Sequence, residues 1–193
     1  MNEDQGRRPP LQPAAATEHV QIPVEDLERF FHEHHAVVFR AAFRVTGNAA
    51  DAEDVLQTVF LRLLQRSPEA TFIENAKSYL CRSAINAALD LVRSRQRAGS
   101  VPLEDEEPAL VDGSSPSPDR LYQSGEVRTW LRQTVARLSP MGAEVFALRF
   151  FEGKENHEIA QMLGTTTSSV AVTLSRARDR IQKEYRSFMR GAL

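Results

Sequence analysis

A chain of 193 residues holds one medium domain or two small ones, and a hydrophobic fraction of 41% is enough to build a core. The formal net charge of −2 names no partner, and a single cysteine, Cys81, excludes an intramolecular disulfide. No apolar run approaches the roughly 20 residues of a membrane span, and the first residues lack the apolar core of a secretion signal, so a cytoplasmic protein without membrane insertion is expected.

Residues 1–23 hold four of the ten prolines and show no apolar periodicity, which predicts a disordered tail. From Val24, the residues Leu27, Phe30, Phe31, Val37, Val38, Ala41 and Val45 follow helical spacing, and Gly47 sits where a helix ends. Asn48 can cap a second helix, with Asp51 three residues on, and Val55, Leu56, Val59, Phe60, Leu63 and Leu64 form its apolar side. Ser67-Pro68 breaks that pattern. A third helix is expected from about Asn75 to Arg97, with Tyr79, Leu80, Ala84, Ala87 and Leu91 inward. Its stretch from residue 77 to 98 is basic, with Lys77, Arg82, Arg93, Arg95 and Arg97 against Asp90.

The composition then changes. Residues 99–126 carry seven acids and one base, interrupted by Pro102, Pro108, Pro116, Pro118 and a Gly-Ser-Ser run. Such a stretch is too charged and too broken to bury a core, so residues 99–125 are expected to be a flexible acidic linker. Helical spacing resumes with Val127, Trp130, Leu131, Thr134, Val135 and Leu138. Ser139-Pro140 starts another helix, with Ser as cap and Pro at the first position, ending near Gly153. Asn156 is expected to cap a short helix that Gly164 closes, and Thr165 to Thr167 lead into a long last one. No strand pattern and no internal repeat is visible, so the fold class is all-α: a domain over residues 24–98 and another over 126–193.

Asn156 to Arg180 has the helix-turn-helix pattern. Ala160 is small enough for two axes to approach, Gly164 permits the left-handed turn, and Val170, Leu174, Ala177 and Ile181 keep one face of the second helix for the core. The opposite face is left for a major groove. Residues 165–190 carry a net charge of +4, which suits phosphates, although a basic C-terminal helix end also complements the helix dipole.

Leu138 to Arg180, with its Val-Phe-Ala-Leu-Arg, Glu-Gly, Glu-Ile-Ala, Leu-Gly and Leu-Ser-Arg-Ala-Arg segments, resembles region 4 of extracytoplasmic-function sigma factors, the promoter-recognising subunits of bacterial RNA polymerase. GNAADAEDVLQTVFLRLLQR is similar to region 2.2 of that family, and AKSYLCRSAINAALDLVRSRQR to its regions 2.3 and 2.4. The motifs appear in family order on either side of the acidic stretch. Thr58 replaces a common acid, Tyr79 stands where Trp is usual, and Ala171 and Thr173 stand where many members have a base. That last difference favours apolar groove contacts, such as thymine methyls.

The resemblance implies partners and sites. Asp51, Asp54, Gln57, Thr58, Leu61 and Arg62 on the second helix would dock on the clamp of the polymerase β′ subunit, and region 4 would meet the β flap. An ordinary amphipathic exterior would have the same composition as that helix face. Arg82, Asn86, Arg93, Arg95 and Arg97 would contact the −10 element, with Asn86 near an extruded base. Thr167, Ser168, Ala171, Val172, Ser175, Arg176 and Arg178 would contact the −35 element. Members of the family are often held inactive by an anti-sigma factor, so promoter DNA, core RNA polymerase and an anti-sigma factor are the expected partners.

No cofactor or enzymatic activity is expected, because no nucleophile–base pattern or phosphate-binding loop is present. His32, His34 and His35 crowd one turn, but no cysteine or carboxylate set completes a metal site around them. A stand-alone helix-turn-helix regulator is the alternative from another class. A third reading, an interaction module that binds no DNA, draws support only from Ala171 and Thr173.

Overall fold

The computed structural model describes residues 24–65, 75–99 and 118–191, and all regular structure within them is helical. The expected N-terminal tail, the Ser67-Pro68 break and residues 100–117 of the acidic stretch lie outside the described residues.

The first unit comprises α1 (Val24–Thr46), α2 (Ala49–Leu64) and α3 (Ala76–Ala98). Gly47 turns the chain between α1 and α2 in the left-handed region, at φ 73°, and its N–H reaches back to the Phe43 carbonyl at 2.7 Å. Asn48 then caps α2, its side chain accepting from the Asp51 N–H at 2.9 Å, and Asn75 caps α3 in the same way through Ser78. The three helices bury one stripe each. Val38, Ala41, Ala42 and Val45 meet Ala52, Val55 and Val59, and Leu80, Ala84, Ile85, Ala88 and Leu89 close the core. The alanines let the axes approach. The larger aliphatic side chains each contribute about 1.5–3 kcal/mol through burial.

The second unit comprises α4 (Pro118–Ala136), α5 (Pro140–Phe150), α6 (Asn156–Leu163) and α7 (Thr167–Gly191). Here α4 begins inside the stretch expected to be linker: residues 118–125 are helical. Pro118 is compatible with this, because its fixed φ and missing N–H cost nothing at a first helical position. Ser139 caps α5 as expected, accepting from the Gly142 N–H at 3.2 Å. The cap of α6 is Glu155, not Asn156. The Glu158 carboxylate accepts from the Glu155 N–H at 2.8 Å in a capping box, which holds that carboxyl below its ordinary pKa, with Lys154 assisting at 3.2 Å. Gly164, at φ 61°, closes α6, and Thr166 Oγ1 accepts from the Ser169 N–H at 3.1 Å to start α7.

The two units touch. α3 packs on α4 and α5, and the buried residues of both halves form one continuous cluster. Arg44 of α1 pairs with Glu152, just after α5, at 3.0 Å.

Candidate nucleic-acid and protein interfaces

On α2, Asp54, Gln57, Leu61 and Arg62 are exposed and Thr58 is half-buried, so five of the six expected docking positions lie on or beside one accessible seam. Leu64, expected on the buried side, is also exposed, and with Leu61 it gives that seam an apolar component. Asp51 departs from the expectation. It is only 2% exposed and forms an ion pair with Arg95 of α3. The reason is its register: Asp51, Val55 and Val59 recur every four residues on the stripe that faces the core. Its position in the first turn also places a negative charge at the positive end of the helix dipole.

The expected −10 residues all lie on α3, but they do not form an open surface. Arg82 Nε donates to Glu144 Oε1 at 2.5 Å and its Nη1 to the Met162 carbonyl at 3.2 Å. Asn86 Nδ2 donates to the same Glu144 oxygen at 2.9 Å. Arg93 Nε donates to the Ala136 carbonyl at 2.8 Å, and Arg95 is engaged by Asp51. Arg97 is exposed. Arg82, Asn86 and Arg93, at i, i+4 and i+11, therefore share one side of α3, and that side is turned toward the second unit.

The expected −35 residues are arranged differently. Val170, Leu174 and Ala177 of α7 are buried, whereas Thr167, Ser168, Ala171, Val172, Ser175, Arg176 and Arg178 are all exposed. Thr173 folds back to the Ser169 carbonyl at 2.8 Å, so its hydroxyl is committed within the helix. Arg178 lies over the Phe150 ring, 5.0 Å from its centre, which orients that guanidinium at the rim of the exposed face. Arg176 makes no ion pair among the described residues and projects from the row. Farther along α7, Glu184 is bound by Arg137 at 2.8 Å and Arg180 at 3.4 Å. The Arg137 hydrogen bond is the main cause of its lowered carboxyl pKa.

Of the side chains outside these faces, His35 stacks on Phe31 and its Nδ1 lies 3.0 Å from the His32 carbonyl. Burial pushes the Cys81 thiol up to about 12. Among the described residues no helix is long and apolar enough to cross a membrane. Glu144 and Gln96 are the polar residues that sequence reasoning missed. Gln96 Nε2 donates to the Gln133 carbonyl at 2.9 Å. The only signal for Glu144 was an acid inside the apolar run Met141 to Phe150.

The described residues form an all-α protein: a three-helix unit carrying a basic third helix, joined to a helix-turn-helix unit whose last helix keeps one face exposed. The family models described as "Sigma-70 region 2" and "Sigma-70, region 4" match residues 30–98 and 128–181, one on each unit. The chain is 28% identical over 165 residues to the ECF RNA polymerase sigma factor SigE of Mycolicibacterium smegmatis, a match covering 84% of this chain and 62% of that protein. It is 29% identical to the RNA polymerase sigma-E factor of Streptomyces avermitilis, covering 85% and 87%. It is also 29% identical to the ferric citrate uptake sigma factor FecI of Escherichia coli, covering 78% and 85%. Among solved structures, the sigma factor RpoE in complex with the anti-sigma factor NepR from Bartonella quintana aligns with a TM-score of 0.49 at 18% identity, covering 83% of this chain and 96% of that one. The chain belongs to the sigma-70 family, as an extracytoplasmic-function sigma factor.

Proposed function

We propose that this chain binds core RNA polymerase and directs promoter-specific initiation. The α2 seam around Asp54, Gln57, Leu61 and Arg62 docks on the β′ clamp, and the helix-turn-helix unit meets the β flap while α7 enters the major groove of the −35 element. The observation that carries this is the division of α7: three buried residues fix its orientation, and all seven groove-side candidates between Thr167 and Arg178 stay exposed.

At the −10 element α3 holds melted DNA. Extruding a base from the stack costs a few kcal/mol, so the released base needs polar partners. Asn86 offers an amide for a base edge, while Arg82 and Arg93 hold the strand backbone. The protein is a recognition subunit without chemistry of its own, acts in the cytoplasm with the polymerase, and is held in check by an anti-sigma factor.

Complex formation with core polymerase tests this reading, because an operator-binding regulator has no need of it. Co-elution of the purified chain with core polymerase in stoichiometric amount is the expected result. Failure to associate at saturating concentration favours the stand-alone regulator.

A further inference from the structure

The C-terminal end of α4 stands between two grooves that share Arg137. In one, Trp130 and Phe188 form an apolar wall, their rings stacked with centroids 5.3 Å apart, beside Arg137, Arg180 and Lys183. In the other lie Arg93, Gln96 and Arg97 of α3. Across the two grooves five cations face three carboxylates, those of Asp90, Asp179 and Glu184. Glu184 serves both Arg137 and Arg180, while Arg97 and Lys183 are exposed and make no ion pair among the described residues. Uncompensated positive charge therefore sits next to an aromatic wall.

The sequence that follows α3 has the complementary character. Glu104, Asp105, Glu106 and Glu107 form one acidic run, with Leu103 before it and Leu110 and Val111 after it. Chain geometry brings this run within reach. α3 is closed by Gly99, two residues after Arg97. Arg93, whose Nε donates to the carbonyl of Ala136 beside Arg137, lies about 9 Å back along α3 from Gly99. The eight residues from Gly99 to Glu107 span up to about 27 Å. Trp130 lies about 9 Å along α4 from Ala136, so Leu110 can reach it as well. Exposed ion pairs are weak one at a time. A ligand tethered at the rim nevertheless has an effective concentration on the order of millimolar, which a separate acidic molecule lacks.

We propose that residues 103–111 of this chain are the ligand of these grooves, with the acidic run on Arg97, Arg137 and Lys183 and Leu110 against the Trp130–Phe188 wall. The connection between the two units is then fastened to both of them instead of being a free tether. This goes beyond promoter recognition and holds independently of it, because Trp130, Arg137, Lys183 and Phe188 are assigned to neither DNA nor polymerase. The contacts are ionic and exposed, so salt loosens them.

Trp130 is the only tryptophan of the chain, so its fluorescence reads the groove directly. The full chain is compared with a variant carrying Glu104→Gln, Asp105→Asn, Glu106→Gln and Glu107→Gln. Acrylamide, a neutral quencher, is expected to quench Trp130 about two-fold more strongly in the variant, and high salt to bring the wild type to the same level. The unaltered chain is also treated with a carbodiimide, which condenses an amine with a carboxylate, and the digest is read by mass spectrometry. An amide joining Lys183 to one of the four acids within a monomer is expected, and this arm stands whatever the variant's folding. Equal quenching in a folded variant, or Lys183 joined only to its neighbours on α7, overturns the proposal. A link found only in cross-linked dimers assigns the grooves to the acidic run of a second copy. Shielding of Trp130 by a short DNA duplex to the same extent in both chains assigns them to nucleic acid. Either of these outcomes also overturns it, and none of the readouts involves core polymerase.

Discussion

Asp51 of α2 and Arg95 of α3 form an ion pair that ties the second helix to the third. Asp51 is buried and Arg95 is about one-third exposed, so the pair is a structural joint at the edge of the first core.

Replacing Asp51 with Ala is expected to destabilise the first unit by about 1–3 kcal/mol, the range for losing a charge-assisted hydrogen bond with a partly buried partner. Arg95 can turn to solvent, which keeps the loss below that of a fully buried pair. Chemical denaturation checks this. A stability equal to wild type, with weakened polymerase binding, would return Asp51 to the docking surface.

Asp54→Ala combined with Gln57→Ala is expected to do the opposite. Both side chains are exposed on the α2 seam, where substitutions usually change stability by less than about 0.5 kcal/mol. Affinity for core polymerase should fall while the melting temperature holds. A competition assay against a labelled sigma factor measures the first, and unchanged affinity counts against this seam.

Much of this organisation is readable from local pattern. The caps at Asn48 and Ser139 and the glycine turns at Gly47 and Gly164 depend on residues within four positions, and all four form as read. The register of Asp51 was also readable, because it lies four residues before Val55. Its charge argued for the surface, and only a partner on α3, Arg95, reverses that. Glu144 was beyond reach for a different reason: its two donors lie 62 and 58 positions away, on the other unit. The start of α4 at Pro118 was hidden by the acidic, proline-rich composition around it.

Asn86→Ala is expected to impair promoter opening more than initial closed-complex formation, because an amide contact with a base matters only after the base leaves the stack. Permanganate footprinting of holoenzyme on a promoter separates the two steps. Thymine reactivity in the −10 region equal to wild type would remove Asn86 from the strand-binding site.

Arg176→Ala should weaken −35 binding, and Ala171→Lys should strengthen it with some loss of selectivity. Both positions are exposed on α7. Arg176 lies well into the helix, where a phosphate is a better partner than a base edge, so its loss should weaken all sequences alike and lower the salt slope by about one unit. Lysine at position 171 adds an ionic contact that reads no sequence. A salt titration of promoter binding by holoenzyme tests both. If neither substitution moves affinity at any salt concentration, α7 does not face the DNA.

Run-off transcription on a genomic promoter library, with core polymerase and saturating amounts of the purified chain, measures promoter-directed initiation itself. A promoter-recognising subunit yields discrete transcripts from a limited set of promoters sharing −10 and −35 elements, and those transcripts disappear without the chain. Core polymerase that stays silent on every promoter, or initiates equally with and without the chain, would contradict the assignment.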